Sequence, residues 1–205
     1  MAKQQKSADP SSPLVVKLGG SLISQVPALV PLFRRSNRPV FIVPGGSIFA
    51  DTVRRTAVND TPAHWMAVAA MDQYGWYIAS HGMGVTQNLN IPEKSVVFLP
   101  YCVLRERDPL PHLWAVTSDS VAAWIADVLG LDLLILKSVD GIMKNNVVLA
   151  SVGALVETET VDPFLIPFVL EKKIRTTVIN GSCINRVEDF LLGNQVPGTK
   201  IGTTF

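Results

Sequence analysis

A lysine, a glycine pair and a serine end a short apolar run at residues Val15–Ser21, whose sequence is VVKLGGS. A buried parallel strand of this kind would deliver a fixed positive charge, and the glycines would leave backbone N–H groups open to phosphate oxygens. A second stretch, Phe41–Ser47 with the sequence FIVPGGS, repeats the glycine pair before a helix-like segment. The two stretches predict a site for one or two phosphate groups.

Lys17 is the residue with most chemical potential in the first stretch. Burying its ammonium group would be costly unless an anion met it. The alternative is a lysine at a strand end that reaches solvent, and a glycine pair alone also makes ordinary tight turns. Recurrence of the pair at Gly45-Gly46 favours phosphate binding.

Three further segments could do chemistry. Asp119 falls in the first turn of a predicted helix, where the helix dipole alone would favour a carboxylate by roughly 0.3–1 kcal/mol. Asp72 lies on an otherwise apolar helix and faces either a substrate or solvent. Residues Lys137–Ile142 follow a strand and form either a third ligand loop or a simple Asp-Gly turn.

The elements that must position these residues alternate between strand and helix. Continuously apolar runs predict five buried strands, and helical spacing predicts three main helices. Such a chain folds as an α/β protein, a three-layer αβα sandwich whose mostly parallel sheet binds ligands beyond the carboxyl ends of its strands. The predicted strands are Leu14–Leu18, Pro39–Val43, Ser95–Leu99, Leu131–Leu136 and Thr176–Ile179, and the predicted helices are Ser47–Ala57, Ala63–Ser80 and Ser118–Leu129.

Composition narrows the class of protein. A net charge of +1 gives no global field for nucleic acid, and 48% hydrophobic residues favour homo-oligomers. We expect a disordered tail over residues 1–13, one domain over 14–205, and a cytoplasmic protein without membrane span or disulfide. The chain has no P-loop, no GxGxxG dinucleotide motif, no GxSxG hydrolase motif and no metal-ligand spacing among its histidines.

Five ordered motifs together resemble the amino acid kinase superfamily, whose members transfer the γ-phosphoryl group of ATP to a carboxylate, carbamate or phosphate. They extend from Val15 to Ile201: VKLGGS at Val16–Ser21, VPGG at Val43–Gly46, Ser118-Asp119, VDGI at Val139–Ile142 and VPGTKI at Val196–Ile201. The resemblance implies a kinase that uses ATP and Mg²⁺ on a small phosphate or carboxylate acceptor.

The same resemblance assigns roles to individual residues. It implies that Lys17 stabilises the transferred phosphoryl group and that Asp119 orients the catalytic lysines. ATP and its phosphates would contact Gly19, Gly20, Ser21, Ser138, Asp140, Gly141, Gly198 and Thr199, and the acceptor would contact Gly45, Gly46, Ser47, Asp72 and Ser118.

One family motif is missing. The GGMxxK segment that supplies a second catalytic lysine is absent, and Lys137 is preferred as its substitute over Lys172 and Lys173. The short chain looks most like the small branch of methanofuran biosynthesis, which phosphorylates an aminomethyl-furanmethanol phosphate. The alternatives are a non-catalytic nucleotide- or oxyanion-binding member of the superfamily and an assembly subunit.

Overall fold

A central sheet runs through the protein, whose computed structural model describes residues 11–56, 58 and 60–202. Among these residues the sheet has eight strands, and a separate hairpin has two. In chain order the strands are β1 Leu14–Leu18, β2 Val40–Pro44, β3 Gly84–Thr86, β4 Val96–Phe98, β5 Asp132–Lys137, β6 Met143–Lys144, β7 Val147–Val148, β8 Ser151–Val152, β9 Thr176–Asn180 and β10 Thr199–Ile201.

The order of strands in the sheet is β3-β4-β2-β1-β5-β9-β10-β8, and β6 pairs with β7. The six strands from β3 to β9 are mutually parallel, β10 is antiparallel to β9, and β8 is parallel to β10. The carboxyl ends of β1, β2 and β5 therefore lie side by side at one edge, as expected for the ligand edge of a parallel sheet.

Helices cover both faces of this sheet. Val15 and Ile135 face one apolar cluster together with residues of the fifth and sixth helices, whereas Val16 and Leu134 face a second cluster with the first helix. This arrangement confirms the predicted αβα sandwich with a mostly parallel sheet. The helices are α1 Val26–Arg35, α2 Ser47–Arg55, α3 Asp60–Ala79, α4 Tyr101–Arg107, α5 Ser118–Leu129, α6 Leu165–Lys172 and α7 Ile184–Leu191, with a 3₁₀ helix at Gly20–Gln25.

The predicted strands match β1, β2, β4, β5 and β9 to within one residue at each end. Helix α5 has the predicted bounds because Thr117 accepts the N–H of Asp119 at 3.3 Å and Gly130 ends the helix at φ 65°. Helix α2 ends at Arg55, before the predicted Ala57, which lies outside the described residues. The patterns did not predict α1, α4, α6, α7 or the short strands.

Residues 1–10 of the predicted tail lie outside the described part of the chain. Nearer the sheet, the carbonyl of Ser12 accepts a hydrogen bond from Nε of Arg38 at 2.5 Å. No helix among the described residues is long and apolar enough to cross a membrane.

Candidate active site

The two glycine pairs pack against each other at the carboxyl ends of β1 and β2. The N–H of Gly45 donates to the carbonyl of Leu18 at 2.9 Å, and a Cβ added to Gly20 would lie 2.4 Å from Cα of Ser47. Real Cβ atoms do not come so close to backbone, so only glycine fits at position 20 without a shift. The sequence repeat is thus one structure in which two bare turns meet.

A buried carboxylate joins two lysines beside these turns. Nζ of Lys17 lies 2.7 Å from Oδ1 of Asp119, and Nζ of Lys137 lies 2.7 Å from Oδ2 of the same residue. The side chains of Lys17 and Asp119 are 5% and 2% exposed, and that of Lys137 is 18% exposed. Three charged groups, with a net charge of +1, therefore meet in a largely desolvated place.

The sheet register explains why the lysines meet. Lys17 on β1 pairs with Ile135 on β5, and side chains two residues apart on a strand point to the same face. Lys137 therefore stands on the same face as Lys17, one step further along the neighbouring strand. Helix α5 packs on this face, and its first turn delivers Asp119 between the two ammonium groups.

Burial and mutual contact shift the pKa values of Asp119 and Lys137. Desolvation alone would raise the pKa of Asp119, but the ammonium groups of Lys17 and Lys137 hold it below its ordinary value. Desolvation, and then the charge of Lys17, lower the pKa of Lys137, although Asp119 opposes both. An anion that entered the site would relieve the repulsion between the two lysines.

A second buried carboxylate, Asp162, supports the first and was missed by the sequence patterns. Its oxygens accept hydrogen bonds from the N–H and hydroxyl groups of Thr117 and Ser120 at the start of α5, and from the N–H of Leu165 at the start of α6. Its own N–H donates to Oδ2 of Asp119 at 3.3 Å. The Asp-Pro pair three residues before α6 is a helix-start signal that could have identified it.

A cavity of about 850 Å³ opens over this cluster. Its lining brings together most of the residues predicted for catalysis, for the first phosphate turn and for the acceptor: Lys17, Gly19, Gly20, Ser21, Gly46, Ser47, Ser118, Asp119 and Lys137. The predicted residues outside its lining are Gly45, Asp72, Ser138, Asp140, Gly141, Gly198 and Thr199.

Asp72, predicted to contact the acceptor, lies outside the cavity. Its Oδ1 accepts the backbone N–H of Tyr101 at 3.1 Å, at the start of α4. Desolvation raises the pKa of Asp72, and the hydrogen bond from Tyr101 opposes that effect. This carboxylate links α3 to the start of α4, and its contact with an acceptor stays a prediction.

The predicted nucleotide loop lies at the carboxyl ends of β5 and β9. Ser138 and Asp140 are exposed, and Asp140 lies 2.6 Å from Arg186, whose hydrogen bond lowers the pKa of that carboxyl. Gly141 packs against Thr199, whose buried hydroxyl accepts the N–H of Ile142 at 2.8 Å. Gly198 and Thr199 thus build the backbone of this end of the sheet.

The alternative second lysines lie elsewhere. Lys172 pairs with Glu171 at 3.0 Å near the end of α6, and Lys173 follows with φ 56° as the helix ends. Neither residue lines the cavity. Of the three lysines considered, only Lys137 contacts Asp119.

No group of three or more His, Cys, Asp or Glu side chains in the described part of the chain is arranged to hold a metal ion. The two buried carboxylates of the site are also committed, Asp119 to the lysines and Asp162 to five hydrogen-bond donors. The buried side chains do not fit a carboxylate cage for Mg²⁺, which in phosphate sites often binds chiefly through phosphate oxygens and water.

The cavity wall also contains aromatic rings that the sequence patterns did not select. It includes His64 on α3 and the segment His112–Trp114 before α5. The segment belongs to the least patterned part of the sequence, so only the fold reveals that it reaches the site.

No protein-family model matches this chain. Over 211 aligned residues it is 29% identical to the [5-(aminomethyl)furan-3-yl]methyl phosphate kinase of Methanocaldococcus jannaschii, an alignment that covers 91% of this chain and 96% of that protein.

Solved structures share the fold. The uridylate kinase of Archaeoglobus fulgidus superposes with a TM-score of 0.68 at 16% identity, covering 93% of this chain and all of that one. A structure of isopentenyl phosphate kinase gives a TM-score of 0.60 at 14% identity, covering 92% of this chain and 99% of that one.

Proposed function

We propose that this chain, which is similar in sequence to a small-molecule phosphate kinase and in fold to kinases of the amino acid kinase superfamily, transfers the γ-phosphoryl group of ATP to a small phosphomonoester. The observation that carries the proposal is the position of Asp119, which holds Lys17 and Lys137 at 2.7 Å each beside two bare glycine turns. We infer that Lys137 at the end of β5 takes the role of the lysine in the missing family motif.

The acceptor class follows from the relative. That protein phosphorylates an aminomethyl-furanmethyl phosphate, and its alignment with this chain covers nearly the full length of both. We infer the same class of acceptor here, a phosphate ester on a small aromatic ring, with a role in methanofuran biosynthesis. The cavity of about 850 Å³ has room for such a molecule beside the γ-phosphate.

In the transfer step an oxygen of the acceptor phosphate bonds to the γ-phosphorus, while the bond from that phosphorus to the β,γ-bridging oxygen breaks. The products are ADP and the acceptor diphosphate. Because the acceptor oxygen is already anionic, the step needs no general base. The protein contributes position and charge, with Lys17 and Lys137 opposing negative charge on the transferred group.

The glycine turns complete the phosphate site. Backbone N–H groups of Gly20 and Ser21 would hold phosphate oxygens of ATP, and those around Gly46 and Ser47 would hold the acceptor phosphate. The N–H of Gly19 donates to the carbonyl of Leu136 at 3.2 Å, so Gly19 would contact ATP through the space that its missing side chain leaves. Gly45 supports the second turn from behind, and Ser118 faces the cavity beside Asp119. The loop that contains Ser138, Asp140 and Gly141, with Gly198 and Thr199 beneath it, would border the nucleotide.

Mg²⁺ belongs to the proposal as part of the bound nucleotide. When bound, it neutralises charge on the β- and γ-phosphates. A cytoplasmic location stays a prediction. Self-association also stays a prediction, supported by exposed apolar side chains such as Trp76 and Leu192.

The test is release of ADP from ATP and Mg²⁺ across a panel of phosphomonoesters and carboxylates, including [5-(aminomethyl)furan-3-yl]methyl phosphate. We expect turnover with that ester, and a loss of about 100-fold or more in kcat for Lys17→Ala, because an ammonium group that faces the transferred phosphoryl is removed. Unchanged turnover in this variant would refute the role of Lys17. If calorimetry detects ATP binding but no acceptor gives turnover, the result would instead favour the alternative of a non-catalytic nucleotide-binding protein with this fold.

A further inference from the structure

Two stacked imidazoles form part of the cavity wall on the side of α3. The ring centroids of His64 and His112 are 4.2 Å apart, and their planes differ by 22°. His64 lies on α3, and His112 lies in the loop between α4 and α5, so the stack joins two separate parts of the chain. The phosphoryl transfer step described above uses neither residue.

His112 is fixed through both of its ring nitrogens. Nε2 lies 2.8 Å from Oδ1 of Asp108, and Nδ1 lies 2.9 Å from the hydroxyl oxygen of Thr61. Because an ionised carboxylate can only accept, Nε2 of His112 carries a hydrogen. The ring of Trp65 meets His112 edge-on at 5.1 Å. His112 therefore gives His64 a rigid surface to stack on.

The ring of His64, unlike that of His112, is not held by hydrogen bonds. Its nitrogens make no hydrogen bond to any residue that the structure describes, although His64 lines the cavity. Burial, and then the neighbouring His112, lower the pKa of His64 to about 4, with a smaller opposing effect of Asp108. At neutral pH the ring is uncharged, so it has one N–H donor and one free lone pair.

The place of His64 along α3 sets it apart from the phosphate turns. The hydroxyl of Tyr74 donates to the carbonyl of Gly19 at 3.4 Å, which fixes that part of α3 at the first glycine turn. His64 precedes Tyr74 by ten residues, or about 15 Å along the helix axis at 1.5 Å per residue. Ala67, Val68 and Met71 line the cavity between them. Gly46 and Ser47, the proposed contacts of the acceptor phosphate, line the same cavity as His64, so the other end of the acceptor extends along the cavity toward His64.

We propose that His64 is the specificity-determining residue for the end of the acceptor remote from its phosphate, where its neutral ring accepts a hydrogen bond from a protonated primary amine. The inference rests on the proposed function, since the acceptor considered there has an aminomethyl group opposite its phosphate. The stacked pair also offers its edge to the aromatic ring of such an acceptor.

The charged groups around the pair agree with a cationic ligand. Asp108 lies behind His112, and the carboxylates of Asp51 and Glu159 line the same cavity. Asp51 pairs at 2.6 Å with Arg54, which lines the cavity as well, so this pair adds no net charge. Arg105 lies over the ring of Trp65, 4.7 Å from its centroid, and does not line the cavity.

The experiment compares two ligands in the absence of ATP by calorimetry: [5-(aminomethyl)furan-3-yl]methyl phosphate and the analogue with methyl in place of aminomethyl. We expect the unmodified protein to bind the amine about tenfold or more tightly, a ratio typical of one hydrogen bond to a charged group. His64→Ala should bring the ratio of the two Kd values near one and leave the Kd of the methyl analogue within about threefold. His64→Gln keeps a neutral acceptor and should retain part of the preference.

His81→Ala is the matched control, because His81 does not line the cavity, and its ratio should equal that of the unmodified protein. The proposal is overturned if His64→Ala keeps the full preference for the amine, if the unmodified protein has no preference, or if it binds neither ligand. Melting curves show whether each variant folds. If His64→Ala does not fold, the comparison of the two ligands is made with His64→Gln. A preference for the amine without any release of ADP would refute the proposed kinase activity and support the amine subsite at His64. Turnover without a preference for the amine would support the kinase activity and refute the subsite.

Discussion

The backbone N–H of Asp162 lies 3.3 Å from Oδ2 of Asp119, so the residue that anchors the start of α6 also contacts the carboxylate that the two lysines share. Asp162 is 6% exposed, and each of its oxygens accepts from the start of α5. The two buried carboxylates thus have different roles. Asp119 contacts the two lysines, and Asp162 contacts the helix starts that position Asp119.

Asp162→Asn tests this supporting role. The amide nitrogen would face hydrogen-bond donors that the carboxylate now accepts from, so we expect the free energy of unfolding to fall by about 1–3 kcal/mol. Urea denaturation measures the loss, and kcat should fall with little change in KM for ATP because Asp119 is displaced. The exposed Glu157→Gln is the control and should unfold at the same urea concentration as the unmodified protein. Equal stability of the two variants would contradict the role of Asp162.

Lys137→Met tests the second lysine. Methionine keeps the apolar stem and removes the charge, so Asp119 retains one partner and the γ-phosphate loses one. Steady-state kinetics should give a kcat lower by about 100-fold or more, the scale of one lost transition-state contact. Lys172→Met changes an exposed lysine outside the cavity and should stay within about twofold. A large loss in Lys172→Met with none in Lys137→Met would reverse the assignment.

Gly20→Ala tests the contact between the two glycine turns. The new Cβ would lie 2.4 Å from Cα of Ser47, so one turn must move and the phosphate site must open. We expect calorimetric ATP binding to weaken by about tenfold or more, as when backbone donors lose their alignment. Gly84→Ala is the matched control, because its Cβ would meet no atom within 4 Å. Equal ATP affinity in both variants would show that the turns need not touch.

The lowered pKa of His64 makes a testable contribution to stability. The unfolded residue titrates near 6.5, whereas burial and then His112 bring the folded value to about 4. The unfolded state therefore binds the proton first, and the stability contributed by neutral His64 is present above pH 6.5 and lost as pH falls toward 4. The urea midpoint of the unmodified protein minus that of His64→Gln should therefore decrease as the pH is lowered from 6.5 to 4. A difference in midpoint that does not change with pH would indicate that His64 is not held neutral.

Much of the fold could be predicted from the sequence because a strand buried on both faces must be continuously apolar. That rule located β1, β2, β4, β5 and β9 to within one residue at each end. Helix α1 was not predicted because prolines at positions 27 and 31 suggest that a helix is interrupted there. Pro27 lies in the first turn of α1, however, and Pro31 is tolerated inside the helix.

The sequence by itself determined which residues could do chemistry at the ends of strands: Lys17, the two glycine pairs and Lys137 all follow or end apolar runs. Parallel pairing then requires that such ends share one edge. The tertiary structure decided which of the three lysines contacts Asp119, since strand register and α5 packing bring Lys137, and neither Lys172 nor Lys173, to that carboxylate. It also decided the place of Asp72, Asp162 and His64, because a side chain's partner across tens of residues depends on how the elements pack and leaves no local pattern in the chain.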